Sequence, residues 1–159
     1  MSFPSRAFVL LFFATLLLSC GGGDEDGAGV PDIQIEGGWA RAMPLLGGDT
    51  TGNTNSAVYL RIRNTGRGAD RLLGGQTPSA EVVEIHQSVV VDDVMRMRRL
   101  DGMEILPHDL VALEPGGVHL MLLGLTQPLS EGEEIELTLR FERSGEVVVP
   151  IPIRPVGGA

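Results

Sequence analysis

Cys20 is the only cysteine in this 159-residue chain, and lysine is absent altogether. Everything after Cys20 therefore lacks a disulfide and a thiolate ligand, so a metal bound there must be held without cysteine. Aromatics are scarce at 4%, and four of the five phenylalanines (Phe3, Phe8, Phe12 and Phe13) lie in the first twenty residues. Only Trp39, Tyr59 and Phe141 remain beyond them, too few for the stacking platform that single-stranded nucleic acid needs. A core without aromatics has to be built from Val, Leu and Ile, which favours strands. Positive charge is also in short supply. All 21 acidic residues follow Cys20, against 11 arginines, leaving a net charge of −10 on that part of the chain. Such a surface repels phosphate backbones and attracts cations or basic partner surfaces. No nucleophile–base pair, paired carboxylate or phosphate loop stands out, so the sequence reads as that of a binding protein and not an enzyme.

Long apolar runs are missing too. The run "AFVLLFFATLLL" has twelve residues, whereas a helix crossing a bilayer of about 30 Å needs about 20. Preceded by Arg6, it has the make-up of the apolar region of a secretory signal. It ends in "LLSC", which resembles the lipobox of bacterial lipoproteins, in which the cysteine is acylated and becomes the mature N-terminus. Leu17 and Ser19 fit that pattern, and Leu18 is a less usual occupant of its position. The resemblance implies a signal peptide over residues 1–19, lipidation at Cys20, and an exported protein held to a membrane on the periplasmic or cell-surface side. "GGGDEDGAGVP" follows, a Gly-rich acidic stretch expected to be a flexible tether over residues 20–31.

From residue 32 to 155 the chain is a succession of short β-type runs. "DIQIEGGWA" and "NSAVYLRIRN" alternate, and "SAEVVEIHQSVV", "VMRMRRL", "GVHLMLLGL", "EIELTLRF" and "EVVVPIPI" follow. Between them stand "NTGRG", "DD", "EPGG" and "RSG", the residues tight turns require. No stretch has a convincing helical period. Seven or more strands at this spacing predict a single all-β domain, a β-sandwich with Greek-key connections.

Histidine and methionine are unevenly placed. Beyond Cys20 there are three His and five Met, and seven of these eight lie between His86 and Met121. Read from His86, the pattern is H-x10-M-x21-H-x-M, through Met97 and His119 to Met121. This spacing resembles the signature of the periplasmic copper chaperones called PCu(A)C. "WARAMP", "NTGRGADRLLG", "EIHQ", "VMRMRRLDGMEI" and "LEPGGVHLMLLGL" also look like blocks of that family, and the likeness extends over about residues 32 to 153. Ser88 is a departure, because members often carry a further Met at that place. The resemblance implies a cupredoxin-like fold, one Cu(I) held by His86, Met97, His119 and Met121, and delivery of copper for the CuA centre of cytochrome c oxidase, with the CuA subunit or a Sco-type protein as partner. The same ligands would equally serve a lipoprotein that sequesters copper. The bland alternative is a structural lipoprotein in which Met and His merely pack.

The chemistry is consistent without the family. "SVVVDDVMRM" reads as a hairpin turning at Asp92–Asp93, which places Met97 opposite Ser88 and diagonal to His86 on one face. His119 and Met121, two apart, share one face of another strand, which the end of a sandwich could bring to the hairpin. Two thioethers select Cu(I) over Zn(II), Mg(II) or Ca(II), and the missing Cys disfavours a blue-copper electron-transfer site. Met95 shares the face of Met97 and is either a substitute ligand or a packing residue. Met103 reads as structural, His108 as a surface loop residue, and Arg96 and Arg98 as pointing the other way.

Overall fold

The computed structural model describes residues 29–44 and 54–155. The expected signal segment, Cys20, most of the tether and the polar loop "GGDTTGN" fall outside those residues. Every regular element among the described residues is a strand. In chain order they are β1 (Ile33–Arg41), β2 (Ser56–Asn64), β3 (Asp70–Gln76), β4 (Ala80–Val91), β5 (Val94–Leu100), β6 (Met103–Ile105), β7 (Leu110–Leu113), β8 (Val118–Leu125), β9 (Glu134–Phe141) and β10 (Gly145–Arg154). Hydrogen bonding orders them β5-β4-β8-β2-β1-β10-β9-β3-β6, with β7 beside β2. A further pairing of β3 with β4, at Gly75 and Val83, joins two strands of that path into a closed ring and leaves β5 on the outside. β8 lies between β4 and β2, and β10 between β1 and β9, so the connections cross over in the Greek-key manner. The expected all-β architecture is the one observed, closed into a barrel-like sandwich.

All seven runs read as strands are strands. Their alternation fills the interior with aliphatic side chains: Val58, Leu60 and Ile62 from β2, Leu120 and Leu122 from β8, Leu137 and Leu139 from β9, Ile151 and Ile153 from β10. Phe141 is the one aromatic ring among the buried core residues. Pro150 and Pro152 are accommodated because β10 meets β1 only through Ile153 and Arg154, and a missing N–H costs little where no ladder is made on that side. A bulge in β1 decides which residue faces inward. The register shifts between Glu36 and Gly38, and Gly37 sits at φ 60°, a conformation that glycine adopts without steric cost. The extra residue turns Ala40 into the core and Trp39 outward, where its ring packs against that of Tyr59, tilted by 44° with centroids 4.6 Å apart.

One buried carboxylate ties distant segments together. Asp70, 3% exposed at the start of β3, accepts hydrogen bonds from the backbone N–H groups of Arg71 (2.7 Å), Arg143 (2.9 Å) and Ser144 (2.9 Å). Burial opposes its ionisation, but the Ser144 hydroxyl and the amides of Arg143, Arg71 and Ser144 outweigh that, so its pKa lies below the usual carboxylate value. A carboxyl whose folded pKa is depressed stabilises the fold above its unfolded pKa of about 3.9, and the contribution is lost as pH falls from there through the folded pKa. Asp70→Asn, which sets an NH2 group among these donors, should cost about 1–3 kcal/mol at neutral pH. Urea unfolding at pH 7 and at pH 3 checks this: the gap between wild type and variant should narrow in acid.

Candidate metal site

The β4–β5 hairpin turns where the two aspartates stand. Asp92 and Asp93 have φ of 52° and 60°, the left-handed pair that a two-residue hairpin loop demands and that Asp tolerates. That turn fixes the register, with Val91 opposite Val94, Ser88 opposite Met97 and His86 opposite Arg99. Met97 is therefore diagonal to His86 on the same face, as expected. On its other side, β4 pairs directly with β8, which sets His86 opposite His119 and Glu84 opposite Met121. β8 thus comes to the hairpin as a neighbour in the same ladder, a more direct juxtaposition than the meeting at a sandwich end expected from sequence. His86, Met97, His119 and Met121 lie on one face of three adjacent strands, with the two imidazole rings 6.3 Å apart.

Their surroundings differ. His119 is 4% exposed near the start of β8, which the "EPGG" turn precedes. Gly117 N–H bonds the Glu114 carbonyl at 3.1 Å across that turn, with Gly116 at φ 80°. The Gly117 carbonyl in turn accepts from His119 Nδ1 at 3.3 Å. Burial lowers the pKa of His119 below the usual imidazole value; the Gly117 carbonyl works against this, and the charges of His86 and Arg41 add to the lowering. The Tyr59 ring lies 6.2 Å from that of His119, so Trp39, Tyr59 and the two histidines form a row of rings. His86 and Met121 are half-buried, whereas Met97 is 55% exposed on the outermost strand.

The remaining candidates separate cleanly. Met95 lies on the face of Met97 but one step nearer the hairpin tip, opposite Val90, and is exposed. Met103, on β6, and Met43, bridged to Leu129, pack against the core. His108 is exposed in a turn at φ 61°. Arg98 faces away from the histidines and donates to Gln87 Oε1. Sequence reasoning passed over Glu84, whose Oε2 lies 2.8 Å from His86 Nε2 and whose Oε1 lies 3.4 Å from Arg99 Nη1. The available signal was its place two residues before His86 on the same strand face. His86 Nδ1 is buried with no hydrogen-bond partner. Among the described residues no three or more His, Cys, Asp or Glu side chains cluster as metal ligands, so a metal on this face would have to draw on the thioethers.

An all-β domain with imidazoles and thioethers grouped on one face belongs in the class of cupredoxin-like soft-metal modules. Residues 33–153 match the family described as "Putative lipoprotein LpqE-like", and the chain belongs to that family, part of the PCu(A)C group. It is 29% identical over 128 residues to "Putative lipoprotein Lxx21020" of Leifsonia xyli subsp. xyli, spanning 80% of this chain and 72% of that one. Among solved structures it is similar to the copper-bound PCuAC domain from PmoF2, at 28% identity and a TM-score of 0.64, covering 80% of this chain and 96% of that domain. The solution structure of CuI-DR1885 from Deinococcus radiodurans, at 22% identity and a TM-score of 0.59 over 83% of this chain and 85% of that one, shares the fold.

Proposed function

We propose that this protein is an exported copper chaperone that carries one Cu(I) on His86, Met97, His119 and Met121, within a domain spanning residues 32–155. The observation that carries this reading is the direct pairing of His86 with His119, with Met97 and Met121 on the same face to either side. Two features of the donors support it. The orphaned Nδ1 of His86 is a buried lone pair without a partner, an arrangement that costs free energy unless something occupies it. Thioether needs no deprotonation and cannot be lost to a disulfide, which suits Cu(I) handling outside the cytoplasm. The similar PCuAC domain from PmoF2 is copper-bound.

The unequal exposure of the donors suggests how copper would leave. His119 is buried and bonded through Nδ1 to the Gly117 carbonyl, while Met97 stands on the free edge strand, open to solvent. An incoming thiolate would displace Met97 first, with both histidines still holding the ion, and then complete the exchange. The acceptor in this reading is the CuA subunit of cytochrome c oxidase or a Sco-type protein, reached from a lipid anchor on Cys20 across the Gly-rich tether. Deletion of the gene should abolish oxidase activity, and the activity should return with added copper or with a wild-type copy. The returning protein should carry an acylated Cys20 by mass spectrometry. Copper hypersensitivity with normal oxidase activity would replace delivery by sequestration.

A further inference from the structure

The two histidines of the site are held by different acceptors on different nitrogens. Glu84 Oε2 lies 2.8 Å from His86 Nε2. A carboxylate only accepts, so a neutral His86 must carry its proton on Nε2, and its lone pair resides on the buried, unpartnered Nδ1. His119 is the reverse case. Its Nδ1 lies 3.3 Å from the Gly117 carbonyl, which also only accepts, so the proton is on Nδ1 and the lone pair on Nε2. Glu84 is itself restrained, because Arg99, the residue opposite His86 on β5, reaches its other oxygen at 3.4 Å.

We infer that Glu84, steadied by Arg99, is a positioning residue that selects the Nε2–H form of His86, so that copper is held by Nδ1 of His86 and Nε2 of His119. This inference rests on the copper reading above. A ligating imidazole whose second nitrogen donates to a carboxylate is fixed in orientation and made a better donor, and loss of such a partner commonly costs 10–100-fold in metal affinity. A direct role for Glu84 as a ligand fits less well. Its carboxylate is occupied on both oxygens, by His86 and by Arg99, and a hard oxygen donor does not suit Cu(I).

Long-range proton–nitrogen correlation spectra of the 15N-labelled apo domain read both tautomers without copper. At pH 8 they should show His86 as the Nε2–H form and His119 as the Nδ1–H form. Anaerobic addition of Cu(I) should then shift Nδ1 of His86 and Nε2 of His119, leaving the protonated nitrogens in place. Glu84→Ala should turn His86 into a mixture of tautomers and weaken Cu(I) by about 10-fold or more. Glu84→Gln, whose amide oxygen accepts the same bond, should restore the Nε2–H form and most of the affinity. An Nδ1–H His86 in the apo domain, or an unchanged tautomer and affinity in Glu84→Ala, would overturn the role of Glu84 even if copper binds. Imidazole signals unmoved by Cu(I) would overturn the copper reading itself, whatever the tautomers.

Discussion

His119→Ala should lower Cu(I) affinity by more than about 100-fold and leave the apo domain folded. The size of the loss follows from what His119 is in this account: a direct donor, buried, and held in orientation by the Gly117 carbonyl. Removing even a partner of such a donor costs 10–100-fold, and removing the donor should cost more. The fold should survive because the barrel interior is formed by Leu120 and Leu122 on the opposite face of β8, not by His119. Met97→Ala is expected to be milder, about 10-fold, because Met95 stands two residues along the same exposed face and can bring its flexible thioether toward the ion. Met95→Ala combined with Met97→Ala should remove that compensation. Competition titration with a chromophoric Cu(I) chelator measures all three, and circular dichroism of the apo proteins checks the fold. Equal affinity in Met97→Ala and wild type would make Met95 the ligand.

Acid should expel copper, and the steepness should count the histidines. Imidazole binds metal only through an unprotonated nitrogen, with an ordinary pKa of about 6.5, whereas thioether has no proton to compete. As pH falls, Cu(I) affinity should decline with a limiting slope of about two decades per pH unit, one for each imidazole. The lowered pKa of His119, caused first by burial, moves its share of that decline to lower pH than a free imidazole would show. The same depression has a consequence for the apo domain. Stability linked to neutral His119 is fully present above about pH 6.5 and is lost as pH falls from there through the folded pKa. His119→Met should reduce the slope of copper affinity to about one decade per pH unit. Met121→Ala should instead lower affinity at every pH and leave the slope alone. A flat wild-type affinity down to about pH 4 would mean that no histidine is a ligand.

The parts of the site set by local chemistry were legible in the sequence. Two aspartates between apolar runs implied a two-residue turn, and that turn alone fixed the placement of Met97 relative to His86. The period of two in a strand put His119 and Met121 on one face. The pairing of β4 with β8 joins residues more than thirty positions apart, and nothing in either run states which strand will be its neighbour. β3 escaped notice because Gly74 and Gly75 interrupt its apolar pattern and its register shifts between Leu72 and Gly74. β6 and β7, of three and four residues, are too short for any period to show. Glu84 was hidden for another reason. A glutamate alternating with buried residues reads as a solvent-facing position, and only the fold shows its carboxylate turned onto His86.

X-ray absorption at the copper edge of the Cu(I)-loaded domain tests the central claim most directly. The first coordination sphere should consist of two sulfur and two nitrogen scatterers, with one sulfur lost in Met121→Ala. A first sphere containing no sulfur would contradict it.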